Sequence, residues 1–280
     1  MNKFMRKSLE LIDTLRPFPL TILRINHLLS DPFYSMNKLV DLIRYDAALT
    51  AYILKMANSP YFGTREKFSS IRQAVSYLGA NEVQKMLFLH SVKPYFSGKQ
   101  LSYEAEDGEL WRSSIAGGML AEIIAESFGY KDPQIAFTAS LLRDIGKIVF
   151  SKIIAEHPEK RKELLLIENK SFDEREQLLF GITHPKIGAS LLSRWKFSDQ
   201  IIDAVMYHHD PFKSSLETTR IVALSDILGM LAGITTALDG LNYKSNNLQK
   251  EFNLSQQNID TIMAKFITKY NSAIYEATLF

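Results

Sequence analysis

The 280-residue chain contains no cysteine, so it can form neither a disulfide nor a thiolate-ligated zinc site. It has no uninterrupted apolar run near the ~18 residues a membrane span requires. The start, Met1-Asn2-Lys3-Phe4-Met5-Arg6-Lys7, is followed by Ser8-Leu9-Glu10 and lacks the apolar core and cleavage pattern of a signal peptide. A cytoplasmic location is therefore the expectation, with no membrane partner. Excess charge of either sign is also missing. The formal net charge is +2, and acidic and basic residues are interleaved, so there is no basic footprint of the kind nucleic-acid binding leaves. No glycine-rich phosphate loop, internal repeat or alternating strand pattern is present, and no appended sensor domain is evident.

What remains is helical periodicity along nearly the whole chain, which predicts an all-α fold. Apolar stripes mark helices over about 4–16, 20–29, 36–45, 47–58, 70–78, 81–93, 109–128 and 133–153. A mixed-charge helix begins at His157, and Ser171-Phe172-Asp173-Glu174 fits a capping box for a helix to about 180. Further helices are expected over 184–195, 198–209, 217–238 and 255–277, with a surface loop over 241–253. Ile262, Met263, Phe266 and Tyr270 in the last helix read as a stripe packing on the core. Residues 97–109 are polar and apolar-poor, which places the expected division between an N-terminal lobe, 1–100, and a C-terminal lobe, 101–280.

The stretch from Ile135 to Phe150 is apolar around most of a helix, as a central bundle helix is. Ala136, Ala139 and Ser140 permit close helix approach. Arg143, Asp144 and Lys147 are set into it, and charges in such a place are costly unless paired or functional. Asp144 reads as a hydrogen-bond acceptor or ion-pair partner, with Lys147 favourably placed at i+3. Asp226 sits in the apolar run Ala223-Leu224-Ser225-Asp226-Ile227-Leu228 and calls for a polar partner. His184 precedes Pro185 near a helix start. His208 and His209 end a helix, where cationic side chains suit the dipole. Being ~100° apart on a regular helix, they are not expected to share an ion. His27, His90 and His157 have no companions and read as structural.

The run Ala139-Ser140-Leu141-Leu142-Arg143-Asp144-Ile145-Gly146-Lys147 resembles the signature of the HD superfamily of metal-dependent phosphohydrolases, with Arg143 where the histidine of the His-Asp pair would stand. Pro17-Phe18-Pro19, the segment Leu54 to Gly63 with Ala57-Asn58-Ser59-Pro60-Tyr61-Phe62-Gly63, Ser70-Ile71-Arg72-Gln73-Ala74-Val75, and Leu110-Trp111-Arg112-Ser113-Ser114 are similar to the motifs of the HDOD family over about residues 15–215. In that family a helical lobe accompanies a degenerate HD-type lobe. The Asn58, Tyr61, Phe62, Gly63 and Trp111 positions carry the resemblance. By itself the Asn58–Gly63 segment reads as a turn, in which Pro60 fixes φ and Gly63 permits positive φ; a recognition surface is the alternative.

The resemblance maps the ligand positions of an HD hydrolase onto Ser113, Arg143, Asp144 and Asp226. It aligns the additional histidines of the related HD-GYP phosphodiesterases with His184, His208 and His209. Serine is a poor ligand for a divalent ion, and arginine stays protonated and cannot ligate. The expectation is a non-catalytic bacterial signalling module that uses no cofactor and works through protein partners. Arg143 or Lys147 would supply the positive charge that a metal gives Asp144 and Asp226. The alternatives are a residual metal-dependent phosphohydrolase acting on a nucleotide, with Asp144, His184, His208, His209 and Asp226 holding a divalent metal, and a nucleotide-binding receptor without turnover.

Overall fold

The structure is a computed structural model and describes residues 2–64, 67–97, 103, 105–234, 252 and 254–277. Among these the chain is helical, with no β-strand element, in agreement with the periodicity. It divides into two compact units, residues 16–94 and residues 1–15 with 95–280.

The smaller unit follows α1 (Lys3–Thr14) in sequence and contains α2 (Leu20–Leu29), α3 (Met36–Arg44), α4 (Ala47–Ala57), α5 (Ile71–Leu78) and α6 (Ala80–Val92). Ile22, Leu39, Ile43, Ile53, Val75, Val83 and Leu87 form its interior. The Asn58 motif closes a turn there. The Asn58 side chain donates to the carbonyls of Leu54 (2.8 Å) and Phe68 (2.9 Å) and accepts from the Phe68 N–H (2.7 Å). A short 3-10 turn over Pro60–Phe62 follows, ended by Gly63 at φ 63°, where a side chain would be strained. The Phe62 carbonyl accepts from the Tyr77 hydroxyl at 2.6 Å. The turn reading of this segment therefore holds.

The larger unit begins with α1 (Lys3–Thr14) and resumes with α7 (Glu109–Ser127), α8 (Pro133–Leu142), α9 (Gly146–Ala155), α10 (Pro158–Leu166), α11 (Phe172–Phe180), α12 (His184–Arg194), α13 (Asp199–Tyr207), α14 (Glu217–Leu231) and α15 (Gln256–Ala277). Helix α1 buries Phe4 and Ile12. Asn2 donates to the Phe180 carbonyl at 2.7 Å, and the Phe4 ring meets those of Phe180 and His157 edge-on. Residues 1–15 thus belong with the larger unit, not with the first lobe that the polar stretch suggested. The boundary likewise falls at 94/95 instead of 100, because Phe96, Tyr103 and Ala105 are core residues of the larger unit.

Helices α7, α8 and α14 form the centre. Small residues allow α7 to approach α8: a Cβ added to Gly118 would lie 3.1 Å from the Phe137 ring. The capping box at Ser171 forms, with the Ser171 N–H donating to Glu174 at 2.9 Å. Ile262 and Phe266 of α15 are buried, and α15 packs on α7, where Lys269 pairs with Glu122. Helix α14 ends at Leu231, short of the expected 238; positions 235–238 and nearly all of the loop expected over 241–253 lie outside the described residues.

One difference shapes the site. The single helix expected over 133–153 is two, α8 and α9, separated at Arg143-Asp144-Ile145. There the bonds are of the tighter i to i+3 kind: Ile145 N–H to Leu142 carbonyl (3.0 Å) and Lys147 N–H to Asp144 carbonyl (2.9 Å). Gly146, the first residue of α9, crosses Gly188 of α12 so closely that a Cβ on it would lie 2.7 Å from the Gly188 nitrogen and against the His184 carbonyl oxygen. Apolar residues flank the break on both sides, so periodicity does not reveal it.

Candidate functional site

The α8–α9 turn carries the charges into the interior of the larger unit. Arg143 and Lys147 are 2% and 1% exposed, and Asp144 is 3% exposed. Arg143 Nε donates to Asp226 Oδ1 of α14 at 2.9 Å and lies 3.4 Å from Asp144 Oδ2. Its Nη1 donates to the Ser140 carbonyl (3.0 Å) and its Nη2 to Ser113 Oγ of α7 (3.2 Å). Space for the guanidinium comes from Gly117, one turn beyond Ser113, since a Cβ there would stand 2.9 Å from Arg143 Cζ. Ser113, Gly117 and Arg143 therefore fit as a set.

On the other side of Asp144, Lys147 Nζ donates to Oδ1 at 2.9 Å and lies over the Tyr103 ring, 5.3 Å from its centre. His184 Nε2 is 3.4 Å from the same Oδ1, and His208 Nε2 is 4.0 Å from it. His209 Nε2 faces His184 Nε2 at 3.2 Å. One imidazole nitrogen from each of His184, His208 and His209 lies within 4.8 Å of the other two. The eight positions Ser113, Arg143, Asp144, Lys147, His184, His208, His209 and Asp226 thus gather in one buried place. Trp111 does not join them; its ring packs on Phe96.

The convergence of His208 and His209 corrects the expectation that they diverge. Helix α13 stops at Tyr207 and His208 caps it with helical angles (φ −60°, ψ −25°), so the two residues still leave the backbone in different directions; it is their rings that converge, with centres 4.1 Å apart. Nor do they serve the helix dipole as cations. Burial, reinforced by neighbouring His209, pushes His208 well below the usual histidine range; burial and the nearby His184 push His209 down. His208 Nδ1 meets the Val205 carbonyl at 2.8 Å, so that nitrogen carries the proton and Nε2 presents a lone pair. That Nε2 is buried with no hydrogen-bond partner among the described residues.

Two residues of the site carry no motif. Glu176 of α11 is fully buried; it accepts from the His184 backbone N–H (2.7 Å) and side-chain Nδ1 (2.9 Å), and from the Tyr103 hydroxyl (2.7 Å). A signal for Glu176 exists in the sequence: Phe172, Glu176 and Phe180 recur every four residues, placing an acid on a buried face. Burial alone would lower His184, but Glu176 and the Asp144 and Glu176 hydrogen bonds raise it to about 9. Burial alone would raise Asp144; Lys147, Arg143 and His184 reverse this and hold it well below the usual carboxylate range.

The two ends of the site differ in what they can hold. At the Ser113 end a cation does not fit, because the Arg143 guanidinium already lies between the carboxylates and repels positive charge. At the histidine end the donors suit one. Glu176 and the Val205 carbonyl hold the Nδ1 atoms of His184 and His208, which is how ligating imidazoles are oriented with Nε2 toward an ion.

Against known proteins, the HDOD domain model matches residues 15–211, and the chain belongs to that family. A solved HDOD domain protein of unknown function from Geobacter sulfurreducens is 26% identical, with a TM-score of 0.70 over 97% of this chain and 94% of that one. A proposed signal transduction protein from Marinobacter aquaeolei shares the fold at 22% identity and TM-score 0.71, over 94% of this chain and 59% of that one. So does a proposed metal-dependent phosphohydrolase from Shewanella amazonensis, at 18% identity and TM-score 0.60, over 96% of each chain. The chain spans well under half the length of the curated relatives it matches. It covers 38% of an uncharacterized protein from Treponema pallidum, with 28% identity over 203 residues, or 71% of this chain. No described helix is long and apolar enough to cross a membrane.

Proposed function

We propose that this chain is a bacterial signal-transduction module that does not hydrolyse phosphate esters and that acts through protein partners. The observation that carries the reading is Arg143 Nε, 2.9 Å from Asp226 and 3.4 Å from Asp144. Hydrolysis of the HD type uses metal ions to acidify the attacking water and stabilise charge on phosphorus. Here a fixed side-chain cation neutralises the two carboxylates instead, and it brings no exchangeable water. Lys147, the other cation of the motif, is paired with Asp144 and covered by Tyr103.

The imidazole cluster favours a second reading, a residual phosphohydrolase acting on a nucleotide. The test is turnover by the purified protein, supplied with manganese, of bis-p-nitrophenyl phosphate and of cyclic mono- and dinucleotides. The expected result is no release above the protein-free control. Manganese-dependent release that disappears in Asp144→Ala would overturn the non-hydrolytic reading.

A further inference from the structure

We propose that the smaller unit docks an acidic amphipathic helix of a partner protein in the cleft between α2 and α3. The inference rests on the reading that the chain acts through protein partners, and it names one docking surface and the chemistry that fits it.

The sequence builds the cleft by giving each wall a second apolar face. Helix α2 turns Ile22 and Ile25 into the core of its unit, and α3 does the same with Leu39, Val40 and Ile43. One such stripe is all that a surface helix needs. Leu20, Leu23 and Leu28 nevertheless recur at i, i+3 and i+8 on another face of α2. Leu42 and Tyr45 do the same at i and i+3 along α3 and its cap. The two faces line an open cleft of about 680 Å³. Leu20 is 66% exposed and Tyr45 80%. Apolar surface gathered in one place in this way marks an interaction site.

Shape and charge select the occupant. The walls are helices of 10 and 9 residues. At 1.5 Å per residue they are ~15 Å long, the length of about three turns of a partner helix. An apolar groove with charges exposed along it suits an amphipathic helix, which lays its i, i+3, i+4 and i+7 residues into the groove. A lipid surface is flat and does not fill a concave cleft.

The unneutralised charge is of one sign. Asp41 of the lining is already paired with Arg44 at 3.2 Å, and Arg44 also donates to the Tyr45 hydroxyl at 2.9 Å. Arg24 of α2 and Lys38 of α3 line the cleft, are exposed, and have no ion-pair partner among the described residues. Each wall thus offers one unpaired cation. A helix with carboxylates on both flanks of its apolar stripe complements them.

The test measures the fluorescence anisotropy of two labelled synthetic peptides titrated with the purified full chain. Both are amphipathic helices with leucine at i, i+3, i+4 and i+7; one carries glutamate on its flanks and the other lysine. The acidic peptide should bind, and the lysine peptide should bind roughly tenfold more weakly or not at all. Added salt should shrink that difference. Leu20→Glu, at an exposed position, should weaken the acidic peptide about tenfold or more. Arg24→Glu combined with Lys38→Glu should reverse the preference, making the lysine peptide the tighter ligand. Leu178→Glu, at a comparably exposed leucine of α11, should change nothing.

Equal binding of the two peptides, no binding, or binding that ignores the cleft substitutions overturns the proposal. Co-sedimentation with phosphatidylglycerol vesicles and light scattering of the chain alone read the other occupants. Vesicle binding abolished by Leu20→Glu would assign the cleft to a lipid surface, and a dimer abolished by it would assign the cleft to a second copy; either overturns the partner helix. Failure of peptide binding leaves the Arg143 charge compensation, and the non-hydrolytic reading with it, untouched. Phosphodiesterase turnover would defeat that reading without altering peptide binding.

Discussion

Arg143 and Asp226 form a buried ion pair, Nε to Oδ1 at 2.9 Å, between the α8–α9 turn and α14. The guanidinium reaches it past Gly117, and its remaining donors are taken by Ser113 and the Ser140 carbonyl. Because the pair is 83 residues apart in sequence, its strength bears directly on tertiary stability.

Arg143→Ala should therefore destabilise the protein by ~3–5 kcal/mol, since it strands two carboxylates. Arg6→Ala, at an exposed site, should cost ~0.5 kcal/mol or less. Asp226→Ala should also destabilise, and the double variant should lose less than the sum, because the two act as one unit. Denaturant unfolding of the four proteins measures the coupling. Additive losses would show that the pair contributes nothing beyond its separate parts.

Gly117→Ala should cost ~1–3 kcal/mol by forcing the guanidinium from its place. If the effect is steric, combining it with Arg143→Lys, which has a slimmer end, should recover part of the loss. Thermal melts of the single and double variants decide this; a Gly117→Ala variant as stable as the parent would mean the arginine moves freely.

Ser113→His combined with Arg143→His should open the Asp226 side to a divalent ion and raise the metal bound per chain. Elemental analysis reads the outcome directly. A ratio unchanged from the parent would show that the carboxylate spacing no longer suits a metal on that side.

Glu176→Gln should leave the three imidazoles in place but weaken their orientation. The His184 pKa is expected to fall from about 9, because the carboxylate that raises it is gone. NMR titration of the His184 ring protons measures it, and an unchanged pKa would show that Glu176 does not set the charge of this imidazole.

Much of this was legible in the chain, and the reasons for the rest are physical. Helical periodicity announces most of the helices because they bury an apolar stripe, whereas α10 buries only Leu164 and shows itself by its mixed charge. The HD-like motif singles out Arg143, Asp144 and Lys147 because charge in an apolar run needs an explanation. The break between α8 and α9 was hidden, since residues on both sides are equally apolar and the cause, the approach of Gly188, is remote in sequence. The convergence of His208 and His209 lies in their side chains, which meet ring to ring, and backbone periodicity carries no mark of that. Glu176 lay within an ordinary charged run, Asp173-Glu174-Arg175-Glu176, and only its spacing to Phe172 and Phe180 sets it apart. Tyr103 sits in the stretch taken as a boundary, where a single buried aromatic leaves no periodic mark.

The Gly146–Gly188 crossing has a mechanical consequence. Asp144 and His184 stand on opposite members of a contact in which backbone touches backbone, with no side chain between to yield or re-pack. Such a joint behaves as a fixed pivot. A sideways push on α12 must displace α9 with it, and with α9 the turn that carries Asp144. The position of α12 is therefore felt at the carboxylate, which gives the centre of this unit the properties of a gauge.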